Sequence, residues 1–199
     1  MDLKEYTPLA LRTENIPENL TGLARNHYRL QHATLGLASE FNETTEDGAH
    51  LLEEIGDWFW YLNLLCDALD TSLDDLYNTE LSCGADLFIN LGNSVGIIAD
   101  KVKRHVFYGK EIERDEILDA AAQLMTDLIA LLTEDDIELE QCLEANIRKL
   151  EKRYPNLRFE QDKALNRNLE DEKRALDADL DEPLGERKCQ EGETCESCQ

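Results

Sequence analysis

Apolar residues recur along most of this chain with the 3.6-residue period of amphipathic helices. No run alternates Val, Ile or Thr with polar residues in the way that is typical of a strand. The pattern therefore predicts an all-α protein, folded as a helical bundle. The predicted helices cover about residues 3–14, 17–43, 50–69, 85–108, 113–132 and 139–154, with a short turn at 71–76.

The domain organisation follows from how the large apolar residues are distributed. The length of 199 residues suits one domain with an extension. We expect residues 1–155 to form the domain and residues 156–180 to form an amphipathic C-terminal helical arm. Residues 181–199 form an acidic, Cys-containing tail with too few large apolar residues to build a core, so the sequence predicts that they are disordered.

The chain has six cysteines. Cys83 is predicted to lie at a turn, and the other five fall into two settings. Cys66 and Cys142 lie in apolar helical runs and are predicted to be small core residues. Cys189, Cys195 and Cys198 lie in the polar tail. Three thiols without a nearby fourth ligand make a weak zinc pattern, and we expect reduced, mobile thiols there.

The formal net charge of −24 disfavours binding to nucleic-acid backbones and to anionic membranes, because both require basic surfaces. A nucleotide substrate remains compatible with this charge, since a bound metal ion inverts the local field. No apolar run approaches the roughly 20 residues of a membrane span. The first residues lack the basic and apolar regions of a signal peptide. These features predict a cytoplasmic protein with no membrane partner.

Two acidic doublets are the strongest indication of chemistry. Glu40 and Glu43 are three residues apart, as are Glu54 and Asp57, so each pair shares one helical face. Four such oxygen ligands on two opposed helices suit Mg²⁺. Asp57 lies in an apolar run, where an unpaired carboxylate is strongly disfavoured, so a positive partner is expected. The alternative is that the doublets are solvated faces, because 44 residues are acidic.

Residues 28–65 and 82–131 are predicted to be diverged copies of one helical hairpin. The second copy lacks the acids of the first but carries basic residues, including Lys103 and Lys110, which the first lacks. This division suits a single composite site. The alternative is the ordinary similarity of any two helical hairpins.

The chain resembles the MazG-like, all-α nucleoside triphosphate pyrophosphohydrolase superfamily, which includes dimeric dUTPases. The resemblance rests on residues 35–43, 53–62 and 146–155, which contain the strings Glu-Glu-Ile-Gly-Asp-Trp and Asn-x-x-Lys-Leu-x-x-Arg-Tyr. Residues 108–110 and 164–167 are similar to a subgroup common among phage-related members, which would place the protein in a host cytoplasm.

The resemblance implies an enzyme that hydrolyses a nucleoside triphosphate to the monophosphate and pyrophosphate. Glu40, Glu43, Glu54 and Asp57 would bind Mg²⁺, with Mn²⁺ as a substitute. The metal would activate water for attack on the α-phosphorus. Either Glu40 or Glu43 would take the proton of the water, and the sequence does not choose between them.

The resemblance also implies residues that contact the rest of the nucleotide. For Lys149 and Arg153 the alternative is an exposed helical ion pair, and for Trp60 it is a place in the core. The candidate base contacts are His32, Trp58 and Trp60. The candidate phosphate contacts are Lys103, Tyr108, Lys110, Asn146, Lys149 and Arg153.

The two-halved plan favours a dUTP- or dCTP-like substrate, while an alarmone or phosphoribosyl-ATP remains open because base selection depends on a few pocket residues. A different class of function is a non-catalytic acidic protein that sequesters a nucleotide or mimics DNA. Mimicry needs acids spread over the exterior, whereas catalysis needs four acids converging in a cleft. The oligomeric state stays open at this point: two halves in one chain can complete a core within a monomer, whereas acidic helices with an apolar seam favour a homo-oligomer.

Overall fold

The computed structural model describes residues 1–46, 48–77, 79, 86–156 and 158–176, and this part of the chain contains helices and no strand. The all-α prediction is therefore confirmed. The helices within these residues are α1 (Leu3–Leu11), α2 (Gly22–Thr44), α3 (Leu51–Ala68), α4 (Leu73–Tyr77), α5 (Leu87–Tyr108), α6 (Arg114–Glu134), α7 (Leu139–Arg153), α8 (Gln161–Leu165) and α9 (Leu169–Leu176).

Two antiparallel hairpins form the body of the bundle. The indole N–H of Trp58 in α3 donates to the Thr44 hydroxyl at the end of α2, at 2.9 Å. The start of α6 meets the end of α5, where Lys101 Nζ lies 2.6 Å from a Glu113 carboxylate oxygen. The two predicted hairpins are thus present as structural units, and their origin as diverged copies stays a prediction.

α2 also runs antiparallel to α5. The two imidazole Nε2 atoms of His27 and His105 are 3.2 Å apart at one end of this pair. At the other end the ring of Phe41 lies against Gly92, where an added Cβ would be 3.2 Å from the ring. The acidic end of α2 therefore lies beside the beginning of α5, and the beginning of α2 lies beside the end of α5.

α3 is the central helix, and most of its sides are buried, as its continuous apolar run predicts. It contacts α1, α2, α4, α6 and α7. The predicted core cysteines, Cys66 and Cys142, are both buried. The large side chains that are fully buried on α3 are Ile55, Trp58, Phe59, Leu62, Leu64 and Leu65.

The second helix begins later than its pattern predicts. Pro17 was expected to open it, but the backbone N–H of Leu20 donates to the Pro17 carbonyl in a turn, and α2 begins at Gly22. Gly22 has a φ of +53°, a left-handed conformation that a continuous helix does not contain. The backbone reversal at this glycine explains the difference.

The predicted C-terminal arm contains the short helices α8 and α9, and α9 packs against α7. The tail predicted at 181–199, with its three cysteines, lies outside the described residues. No helix in the described part of the chain is both long enough and apolar enough to cross a lipid bilayer.

Candidate functional site

Three of the predicted ligands converge where α2 meets α3. Glu40 and Glu43 from α2 and Glu54 from α3 each place a carboxylate oxygen within 4.8 Å of the other two. Glu40 is buried, with 5% of its surface exposed, whereas Glu43 is exposed and Glu54 is half-buried. The cluster therefore has a buried floor and an open side.

Burial and mutual repulsion disfavour the ionised form of the carboxylates in this cluster. Burial, together with Asp57, Glu43 and Glu54, raises the pKa of Glu40 to about 9. Burial, together with Asp57, Glu43 and Glu53, raises the pKa of Glu54 to about 7. Glu40 Oε2 is also a buried oxygen without a hydrogen-bond partner. A cation at this place would satisfy that oxygen and remove the repulsion between the carboxylates.

The fourth predicted ligand, Asp57, is held by α7. Lys149 Nζ lies 2.5 Å from Asp57 Oδ2, and the side-chain amide of Asn146 donates to Asp57 Oδ1 at 2.8 Å. The Lys149 side chain is fully buried and also lies 3.4 Å from Glu53 Oε1. The expectation that Asp57 needs a positive partner is confirmed, and in this structure the partner is Lys149.

α7 packs closely on α3, which allows Asn146 and Lys149 to contact Asp57. A Cβ added to Gly56 would lie 2.9 Å from the Asn146 Cβ, so only glycine admits this approach without a shift. Tyr6 of α1 donates its hydroxyl to Asn146 Oδ1 at 2.9 Å, which orients the amide toward Asp57. α1, α3 and α7 thus jointly position one carboxylate.

A cavity of about 230 Å³ opens beside Asp57. It is smaller than the ~300 Å³ and above that is typical of sites for drug-sized ligands. Its walls are largely aromatic. The lining residues are Thr13, Asn15, Tyr28, His32, Asp57, Trp60, Tyr61, Leu150, Arg153, Tyr154 and Phe159.

Two of the three predicted base contacts lie in this cavity. The rings of His32 and Trp60 meet edge to face, with centroids 5.6 Å apart. The Trp60 indole N–H is held by the Ala10 carbonyl and the Thr13 hydroxyl, so its orientation is set. Burial lowers the pKa of His32, and its Nδ1 is a buried atom without a hydrogen-bond partner. The neutral imidazole therefore retains unused hydrogen-bonding capacity at the cavity.

The third predicted base contact, Trp58, is corrected by the structure. Its side chain is fully buried, and its N–H is bonded to Thr44. Trp58 lies two residues before Trp60, and a step of two residues turns a helical side chain to nearly the opposite face. It is a core residue.

The predicted phosphate contacts on α7 divide into two groups. Asn146 and Lys149 are buried and hold Asp57, and their contact with phosphate stays a prediction. The alternative of an exposed ion pair is excluded for Lys149. Arg153 does line the cavity, and its guanidinium is bonded to Glu172 of α9.

The predicted phosphate contacts at the end of α5 lie elsewhere. Lys110 is tied by its carbonyl oxygen to His105 Nδ1, which donates at 2.8 Å, and His105 contacts His27. Glu40 lies thirteen residues further along α2 than His27, which is about 20 Å along the helix. Lys103, Tyr108 and Lys110 are therefore placed at the opposite end of the α2–α5 pair from the acidic cluster. The sequence already predicts that these residues lie on or just after a different helix from the acids, but their distance from the acidic cluster depends on how α2 and α5 pack.

The cavity is lined by further residues that the sequence did not predict as site residues, among them Tyr61 and Phe159. Tyr61, four residues after Asp57, lies between the cavity and the acidic cluster, and its pKa is raised by burial and by Glu40 and Asp57. Its i, i+4 spacing from Asp57 was a usable signal. Phe159 lies beyond the predicted domain boundary and had none.

A tight contact on α2 supports Tyr61 and yields a prediction. A Cβ added to Gly36 would lie 2.1 Å from the Tyr61 ring, so Gly36→Ala must displace that ring. We expect a loss of about 1–3 kcal/mol in the free energy of unfolding, as in other overpacked cores. Chemical denaturation measures this loss.

Gly96→Ala on α5 is the matched control, because a Cβ there meets nothing within 4 Å. It should raise stability by up to about 1 kcal/mol through helix propensity. Equal effects of the two substitutions would contradict the close contact between Gly36 and Tyr61.

Comparison with models of known protein families, with curated proteins and with solved structures finds no match to this chain. The functional assignment therefore depends on the geometry of the site.

Proposed function

We propose that the protein is a magnesium-dependent nucleotide pyrophosphohydrolase, which cleaves a nucleoside triphosphate into the monophosphate and pyrophosphate. The observation that carries the proposal is the convergence of Glu40, Glu43 and Glu54, with a buried, unpartnered Glu40 oxygen, beside an aromatic cavity. The converging acids support a catalytic site more than DNA mimicry, which needs acids spread over the exterior.

The donor set fits a hard divalent cation. Carboxylate oxygens are the ligands that Mg²⁺ binds in proteins, and the open side of the cluster leaves room for waters and substrate phosphates. Glu40, Glu43 and Glu54 would hold the ion, with Asp57 as a fourth ligand after release from Lys149. When bound, Mg²⁺ would activate water and neutralise charge on the departing pyrophosphate.

The chain's own residues provide binding and orientation. A base in the cavity would lie against the rings of Trp60, Tyr61 and His32. Because Asp57 and Arg153 also line the cavity, the phosphates of such a ligand would extend toward the acidic cluster. The cavity of about 230 Å³ has room for one nucleobase, and the preference for a dUTP- or dCTP-like substrate follows from the two-halved plan of the chain.

In the proposed reaction, the water oxygen bonds to the α-phosphorus and the bridging oxygen leaves with pyrophosphate, while one water proton must be accepted. Burial keeps the metal-free Glu40 protonated at neutral pH. Glu43, which is exposed, is the carboxylate most open to solvent water. This geometry favours Glu43 as the proton acceptor.

The proposal predicts pyrophosphate release from at least one nucleotide in a panel of purine and pyrimidine triphosphates, phosphoribosyl-ATP and an alarmone, with Mg²⁺ present. A chelator should abolish release, and Glu43→Gln should lower kcat by about a hundredfold or more. Released pyrophosphate and the monophosphate are measured together, because their equal amounts identify the cleaved bond.

Glu46→Gln is the control, since the Glu46 side chain is exposed and, among the contacts described, accepts a hydrogen bond only from the Asn42 side chain one turn before it. Its turnover should match the unsubstituted protein. A correctly folded protein that binds a nucleotide but releases nothing would support the alternative of a sequestering protein and defeat the enzymatic proposal.

A further inference from the structure

The most enclosed ion cluster in the arm is centred on Glu172 of α9, which is only 2% exposed. Arg153 donates from Nε to Glu172 Oε1 at 3.1 Å and from Nη2 to Oε2 at 2.7 Å. Arg167 donates from Nη2 to the same Oε2 at 2.7 Å. One carboxylate therefore fills the forks of two guanidinium groups, an arrangement that suits an oxyanion such as phosphate equally well.

The two arginines lie beside the proposed substrate cavity. Arg153 lines it, and Arg167 Nη2 is 3.9 Å from Glu53 Oε1. Glu53 in turn lies 3.4 Å from Lys149 Nζ, which holds Asp57. A continuous run of ion pairs thus joins the arm to Asp57, which lines the cavity. Each of these cations is already paired with a carboxylate, so an anionic ligand gains full access to them only by displacing one.

The arm is attached by few buried groups. Among the described arm residues, α8 has no buried residue, and α9 buries only Glu172, Ala175 and Leu176. Leu165 and Leu169 remain exposed. Segments with few buried apolar contacts open at low free-energy cost. Removing the ion cluster would leave little to hold α9 against α7.

We infer that Arg153 and Arg167 form an oxyanion-binding site that Glu172 occupies in the absence of ligand, and that a polyphosphate displaces Glu172 and releases the arm. The identity of the ligand rests on the proposed function. Glu172 acts as an internal competitor, because its carboxylate moves into water when the phosphate oxygens take its place. Since Glu172 is part of α9, the helix moves with it.

The test measures binding of inorganic pyrophosphate by calorimetry in the presence of a chelator, so that neither metal binding nor turnover contributes. Glu172→Gln should bind pyrophosphate about tenfold more tightly than the unsubstituted protein, since a weaker internal competitor must be displaced. Arg167→Gln should bind it more weakly. Hydrogen exchange should show that saturating pyrophosphate lowers the protection of the amides of residues 169–176 in the unsubstituted protein.

Glu170→Gln is the matched control, because Glu170 is on the same helix but is 87% exposed and pairs with Arg174 of its own helix. Its affinity should be unchanged. Equal or weaker binding by Glu172→Gln, unchanged protection of the arm, or no binding to any variant would overturn the inference. Protection of α7 amides reports whether the variants remain folded. If nucleotides are cleaved but Glu172→Gln behaves like the unsubstituted protein, only this inference fails. If the binding results hold without any turnover, only the proposed function fails.

Discussion

Glu40→Gln is expected to abolish stabilisation of the protein by Mg²⁺. In the unsubstituted protein, Mg²⁺ at a hundredfold excess over its Kd should add about 2.7 kcal/mol to the free energy of unfolding. The substitution removes the buried oxygen that has no other partner and one negative charge of the cluster. The measurement is the thermal unfolding midpoint with and without Mg²⁺, and the same variant should lose turnover by about a hundredfold or more.

The metal-free Glu40→Gln protein should be more stable than its parent at neutral and alkaline pH. The folded pKa of Glu40 is raised to about 9, well above its unfolded value near 4.5, so the native state binds more protons between these pH values. Stability of the metal-free parent therefore falls as pH rises through this window, and Gln, which does not titrate, removes that fall. The expected gain at pH 8 is at most about 5 kcal/mol, because the parent loses about 1.4 kcal/mol for each pH unit between the unfolded pKa and pH 8.

The control for both effects is again Glu46→Gln, an exposed change beyond the same end of α2. It should leave the Mg²⁺ response and the pH dependence intact. Full stabilisation of Glu40→Gln by Mg²⁺ would show that the ion binds elsewhere, and a flat pH profile of the metal-free parent would contradict the raised pKa of Glu40.

Lys149→Met is expected to cause the largest loss of stability among the substitutions considered. Lys149 is fully buried, and its removal leaves Asp57 without a cation, and Glu53 with only the more distant Arg167, beside three further carboxylates. Breaking a buried ion pair costs about 3–5 kcal/mol, and we expect the lower end because Asp57 is 26% exposed and remains partly hydrated. Chemical denaturation without Mg²⁺ measures the loss.

Mg²⁺ should restore part of the stability of Lys149→Met, because the ion replaces the missing positive charge near Asp57. Lys152→Met, an exposed change on the same helix, should alter stability by no more than about 0.5 kcal/mol. Similar losses in both variants would mean that the buried contact with Asp57 does not determine the effect.

The local parts of the fold follow from the residue pattern. Helical periodicity located α3, α5, α6 and α7 to within a few residues, because each helix is defined by contacts three and four positions apart. The late start of α2 was not predictable in this way, since it depends on the left-handed backbone of Gly22 and a local turn.

The candidate site was only partly predictable for the same reason. The spacing of Glu40, Glu43 and Glu54 placed each on the correct helical face, and the apolar surroundings of Asp57 required a cation. The structure places Lys103 and Lys110 at the other end of the α2–α5 pair from the acidic cluster, and the spacing within one helix does not predict the distance between the ends of two packed helices.

The sequence by itself determined the all-α class, the acidic faces of α2 and α3 and the need to neutralise Asp57, because these depend on neighbours along a single helix. Only the tertiary structure decided that Lys149, which is 92 residues from Asp57, neutralises this carboxylate. It also decided that side chains as far apart in sequence as Thr13 and Phe159 line one cavity. Such choices depend on which helices touch and in what register. Close contacts such as Gly56 against Asn146 set that register, and no local pattern encodes them.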